Sequence, residues 1–140
     1  MESKRYGREL VLRLDGNDEM NACVERACLE HGVRAARVSG IGAMKEARLR
    51  VLNQTGDGFE FCEIARNMEI VSITGNVTAD GDGLMIHLHL SAADGSFQLV
   101  GGHVVHCIIT NTAELFITET EGNLRRAEQA EGLLRRMELC

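Results

Sequence analysis

The chain has 140 residues, 44% hydrophobic and 26% charged, with a net charge of −6, which suits one soluble domain spanning residues 1–140 with a core of its own. It has no apolar run near the roughly 20 residues of a membrane span, and its opening MESKRYGREL lacks a signal-peptide segment, so a cytoplasmic protein without membrane contact is expected. The acidic balance opposes a phosphate backbone unless a basic patch is set apart. The odd set Cys23, Cys28, Cys62, Cys107 and Cys140, without a C-x-x-C, argues for reduced, mostly buried thiols over a disulfide framework or zinc ribbon.

Residues 1–7 are polar and read as a frayed end. From Arg8 to Leu14, Leu10, Leu12 and Leu14 alternate as one face of a first strand. Asp15-Gly16-Asn17 breaks it, and Asp18 and Glu19 suit a first helical turn. Met20, Val24, Ala27, Cys28 and His31 then recur at helical spacing, with Gly32 placed to end the helix. His31 is expected at the helix C-terminus, where the dipole favours a cation.

Val33–Ala43 returns to strand character and ends in Ser39-Gly40-Ile41-Gly42-Ala43. These glycines admit a phosphate loop, but no helix with a Lys-Ser/Thr start follows. They read instead as a tight strand exit or a close approach of another backbone. Further strands are expected at Ala47–Leu52, Phe59–Ala65 and Met68–Val77. After a turn region at 78–83 come the two strands around the histidines, and a last strand spans Glu114–Thr120. The pattern is one of seven or eight short strands and one main helix without strand–helix alternation. That predicts an α+β fold, a mostly antiparallel sheet with the helix packed on it. In the tail, Asn123 reads as the cap of a helix through Leu124, Ala127, Ala130, Leu133, Leu134 and Met137, weakened by Gly132.

The stretch Met68–Glu121 holds the chemistry. His87 and His89 share one strand face, while Leu84, Ile86, Leu88 and Leu90 form a complete apolar face opposite. His103 returns on the next strand. A turn centred on Asp94-Gly95 leaves His103 facing the wrong way by one residue, and a bulge at Gly101-Gly102 repairs this. Three imidazoles from two neighbouring strands suit a transition metal, zinc among them, with one coordination position open. His106 falls on the other side, as a core or interface histidine. Glu69, Asp94 and Glu114 are acid–base candidates by chain proximity alone.

The order E-I-x-S-I-x-G-N-V, H-L-H-L, G-G-H and E-L-x-I, with the earlier G-I-G-A, resembles the plant and prokaryote conserved (PPC) domain from about Arg13 to Thr120. The resemblance implies an antiparallel sheet carrying a helix, assembled as a homotrimer. It also implies a metal, most simply zinc, on His87, His89 and His103. PPC proteins are often labelled DNA-binding, and in the plant members a proline-containing AT-hook holds the groove. This chain has no proline, and its tail arginines Arg125, Arg126, Arg135 and Arg136 are diluted by glutamates, so duplex binding is expected to be weak. Two alternatives remain: a metal-dependent enzyme acting on a small molecule, and a protein-interaction module. For the second, the family's G-R-F-E-I-L contact segment falls on Arg66–Val71, where only Glu69 and Ile70 match.

Overall fold

The computed structural model describes residues 1–127 and 135–139. Nine strands and one helix are present among them: β1 Glu2–Tyr6, β2 Glu9–Asp15, α1 Met20–Glu30, β3 Ala36–Leu52, β4 Phe59–Ile64, β5 Met68–Asp80, β6 Gly83–Ala93, β7 Leu99–Glu119, β8 Leu124–Arg126 and β9 Met137–Leu139. The α+β expectation holds. All strand pairs are antiparallel except β5 with β8.

Two strands are much longer than the sequence suggests. β3 runs for 17 residues and β7 for 21, each fusing segments that read separately. β3 pairs with both β5 and β7, and β6 also pairs with both. The four strands therefore close a ring, and the sheet has few free edges there. Register shifts in β3 between Gly40 and Gly42, and again near Met44, let one strand bend while staying paired.

The G-I-G-A segment is no strand exit and no phosphate loop. It lies mid-strand, where a Cβ on Gly42 would stand 2.4 Å from Ala113 Cβ and one on Gly40 2.6 Å from the Glu114 carbonyl oxygen. The close-approach reading is the correct one.

The core takes the leucine face of β2, Leu10, Leu12 and Leu14, all fully buried. It continues through Val38, Ile73, Val77, Leu88, Leu115 and Ile117. Helix α1 covers it with Met20, Val24, Ala27 and Cys28, and packs against β2, β6 and β7. Glu19 caps the helix, accepting from Ala22 N–H at 2.7 Å, and its other carboxylate oxygen accepts from Cys107 N–H at 3.2 Å. Gly32, at φ +69°, ends it. His31 is the C-cap residue, its ring 3.1 Å from the Ser3 hydroxyl. Cys23, Cys28 and Cys107 are buried free thiols and Cys62 is exposed. Burial pushes the Cys28 and Cys107 thiols up to about 12. Cys140 lies outside the described residues.

Two sequence expectations fail at the ends. Residues 1–7 are not frayed: β1 pairs with β2 across five residue pairs, and Gly7 at φ +62° makes the two-residue hairpin turn. The Met1 amine lies 3.1 Å from Asp15 and 2.9 Å from Asp18, and Arg5 bridges to Glu119 at 2.5 Å. Polar side chains hold this edge strand without an apolar face for the sequence to reveal. The tail also differs. Leu124–Arg126 and Met137–Leu139 pair as strands where a helix was expected. β8 docks beside β5, and Arg135 clamps Asp80 through two bonds of 2.7 and 2.6 Å. These non-local contacts outweigh a weak helical periodicity. Positions 128–134 of the expected helix lie outside the described residues.

Candidate metal centre

The histidine strands meet in a simple register. His89 pairs with His103, Leu90 with Gly102, Ser91 with Gly101, and the ladder runs unbroken to Ala93 opposite Leu99. The expected bulge at Gly101-Gly102 is absent. The connection spans five residues, Asp94 to Gln98, so the hairpin is centred on Ser96 and His103 faces correctly unaided. The Asp94 carboxylate accepts from Ser96 and Gln98 N–H at 2.9 and 3.1 Å, and Phe97 takes φ +61°. The two glycines serve a different purpose. A Cβ on Gly101 would lie 2.8 Å from the Leu90 carbonyl oxygen, and one on Gly102 2.8 Å from that of Arg50. They let β7 fit between β6 and β3.

On its other side β7 does carry an irregularity. Arg48 pairs with His106 but Leu49 pairs with Val104, leaving Val105 as the extra residue. That shift brings Arg50 directly opposite His103. One lateral row across β3, β7 and β6 thus reads Arg50, His103, His89, with His87 two residues along. Paired residues on one sheet face lie close enough for their side chains to meet.

The three rings cluster, with centroids 5.0–5.4 Å apart. One nitrogen from each lies within 4.8 Å of the others. His87 Nε2 and His89 Nε2 are 3.2 Å apart, close to the roughly 3.3 Å that a tetrahedral metal with 2.0–2.1 Å bonds sets between two ligands. Burial, and then the repulsion of Arg126, His89 and Arg50, lowers the His87 pKa. Burial, and then Arg50, takes His103 down to about 4. Both rings are neutral at pH 7, the state a metal ligand needs.

One contact opposes the loaded state. Arg126 Nη2 lies 3.3 Å from His87 Nδ1, and a guanidinium can only donate. The neutral ring then carries its proton on Nε2, which serves the short contact to His89. Ligation through Nε2 would require the proton on Nδ1 and would part the ring from Arg126. Asn76 Oδ1, now 2.8 Å from Arg126 Nη2, sits on the residue directly opposite His87. Strand pairing would make it a candidate acceptor for an Nδ1 proton, in the manner of outer-shell partners of ligating histidines. The nitrogen set fits a metal, with Arg126 as the group that must yield.

A cavity of about 660 Å³ opens at the cluster, lined by the three histidines, by Arg50, Arg126 and Arg135, and by apolar residues including Phe59 and Met85. Glu69, Asp94 and Glu114 do not line it. Asp94 instead closes its own loop and faces Arg66 at 3.6 Å. His106 is neither core nor ligand: its Nε2 lies 2.9 Å from Glu46 at the surface. Sequence reasoning missed Arg50 and Arg126 as members of the site. Arg50 depended on an unseen bulge, and Arg126 on a tail that pairs as a strand.

An antiparallel sheet that closes on itself, carries one helix and gathers three histidines at a cavity defines the class of domain. The chain belongs to the Plants and Prokaryotes Conserved (PCC) domain family, whose model matches residues 1–121. It is 32% identical over 111 residues to the bifunctional protein GlmU of a Synechococcus strain, an alignment covering 78% of this chain and 16% of that protein. The chain thus spans about a sixth of the length of the curated relative. Its fold is similar to that of a metal-containing protein from Archaeoglobus fulgidus (TM-score 0.81, 25% identity, 94% of both chains). It is also similar to a DNA-binding candidate from Bacteroides thetaiotaomicron (TM-score 0.91, 21% identity, 99% and 96% of the two chains).

Proposed function

We propose that this PCC-domain protein binds one transition metal ion, zinc in the simplest case, through His87, His89 and His103, and that the metal serves a small molecule held in the adjoining cavity. The observation that carries the reading is the convergence of three imidazole nitrogens within 4.8 Å on the lining of that cavity. The metal-containing Archaeoglobus neighbour supports it. Bound there with an open position, a divalent metal supplies Lewis-acid polarisation of a ligand oxygen. The protein's part is to hold the His87 and His103 rings neutral, to align the three imidazoles, and to offer a cavity of small-molecule size. The small-molecule reading is favoured over a purely structural metal because the apolar faces of Leu88 and Leu90, fully and nearly fully buried, hold β6 in place without it.

We further propose a homotrimer. Ile41, Val71 and Phe116, 57%, 53% and 47% exposed, lie on three adjacent strands, and Ile41 and Phe116 share one outer face. Such apolar surface is the kind that subunits cover. Duplex DNA is a weaker reading. The chain is acidic, and the arginines at the cavity line a recess too small for a helix groove to engage. No helix among the described residues is long and apolar enough to cross a membrane.

Elemental analysis of untagged protein, purified without chelator, tests the metal. About one zinc or other transition metal per chain is expected, lost in His87→Ala/His89→Ala while circular dichroism stays unchanged. Wild-type protein without metal, and unable to take up zinc on dialysis, would sink the ligand assignment.

A further inference from the structure

Two buried side-chain polar atoms lack a hydrogen-bond partner among the described residues, Arg50 Nε and Asn21 Oδ1. Both residues line the histidine cavity. Buried polar groups are nearly always paired, and an exception calls for a reason. Asn21 already spends its amide nitrogen on the Val104 carbonyl at 3.4 Å. Both atoms are shielded at this cavity, and pairing them takes a small turn of each side chain toward it, with one acceptor for Arg50 and one donor for Asn21.

The charges say which acceptor. Among the described residues no Asp or Glu lines the cavity. Arg135 is neutralised by Asp80. Arg126 is committed to Thr78, Asn76, the Arg135 carbonyl and His87. Arg50 has no carboxylate partner among the described residues and only stacks on Phe59 at 4.3 Å. One unspent guanidinium, in the same row as His103 and His89, matches one carboxylate through its planar fork. A phosphate dianion would need more donors than a single fork, and the walls of Phe59 and Met85 suit a carbon skeleton. We propose that this cavity binds a small organic acid bearing a hydroxyl group, its carboxylate on Arg50 and its hydroxyl donating to Asn21. The proposal deepens the reading of the cavity as a small-molecule site and rests on it, yet its two anchors are not metal ligands.

Isothermal calorimetry on the zinc-loaded full chain tests it with 2-hydroxy-4-methylpentanoate as probe. One site per chain is expected. Binding should weaken at least about tenfold for the neutral 2-hydroxy-4-methylpentanamide and for Arg50→Gln, with zinc content and melting temperature unchanged. The deoxy acid 4-methylpentanoate should bind more weakly than the hydroxy acid, and Asn21→Leu should erase that difference. Equal binding of the two acids by the wild type would overturn the hydroxyl assignment. Zinc-loaded protein that ignores the acid, Arg50→Gln at full affinity, or inorganic phosphate binding more tightly than the acid would overturn the proposal and leave the metal reading standing. If the chain takes up no zinc, Arg50-dependent binding to the metal-free protein supports this inference and sinks the metal, while no binding sinks both. Should Arg50→Gln fail to fold, the wild type decides: the acid is expected to protect Arg50 from phenylglyoxal by mass spectrometry, and unprotected labelling would overturn the proposal.

Discussion

Gly75→Ala joins the fold to the site in one substitution. Gly75 lies on β5 opposite Leu88, one residue before Asn76 opposite His87. A Cβ there would stand 2.0 Å from the His87 carbonyl oxygen and 2.9 Å from Leu88 Cα, where ordinary contact begins at 3.4 Å. The β5 and β6 backbones must part by roughly 1.4 Å locally, which breaks the nearest ladder bonds. Overpacking of this kind costs about 1–3 kcal/mol, and each lost hydrogen bond about 1 kcal/mol more. The stiffer unfolded chain of the alanine variant returns about 0.5–1 kcal/mol. A net loss of about 3 kcal/mol follows. At about 0.3 kcal/mol per degree for a chain of this length, the melting temperature falls by about 10 °C. The same displacement moves His87, so zinc uptake should drop with it. Gly95→Ala is the matched control, since its Cβ would meet nothing within 4 Å and its stability should stay within about 0.5 kcal/mol. Circular dichroism melts and urea titrations measure both. A Gly75→Ala loss below about 3 °C, with zinc still bound, would refute the claim that these strands need a glycine to approach.

Three further outcomes are expected. Because the His87 and His103 pKa values are lowered in the fold, His103 to about 4, the unfolded chain binds more protons between that value and the ordinary 6.5. Metal-free protein should therefore hold its stability above pH 6.5 and lose it as the pH falls toward 4. His103→Gln should flatten that slope, and an unchanged slope in urea titrations across this range would contradict the burial of the ring. Arg126→Gln removes a cation 3.3 Å from His87 and should raise zinc affinity on the order of tenfold, the scale of outer-shell effects, read by competition with a chromophoric chelator. Equal or weaker affinity would show that Arg126 does not resist loading. For the assembly, light scattering should give about three times the 15.4 kDa chain mass, and Phe116→Asp should yield monomers. A monomeric wild type would exclude the trimer.

Local patterns carried much of this protein. The alternation of Leu10, Leu12 and Leu14 and the helical spacing of Met20, Val24, Ala27 and Cys28 named core faces that are buried as expected. His-x-His on one strand face and Gly-Gly-His on the next named the cluster, because strand periodicity is a local property of the chain. Tertiary structure decided the register. A hairpin centre depends on how a five-residue loop folds, and Asp94 settles it by bonding Ser96 and Gln98, so no bulge was needed where one was invoked. The irregularity that matters lies at Val105, where a bend of β7 against β3 turns Arg50 toward His103. No local pattern marks such a bend, since it answers to packing between strands more than 50 residues apart in sequence. The edges escaped for a related reason. β1 and β8 are held by ion pairs and backbone pairing to distant partners, Arg5 to Glu119 and Ala79 to Arg125. Short-range periodicity is blind to contacts of that range, and they are what set Arg126 beside the histidines.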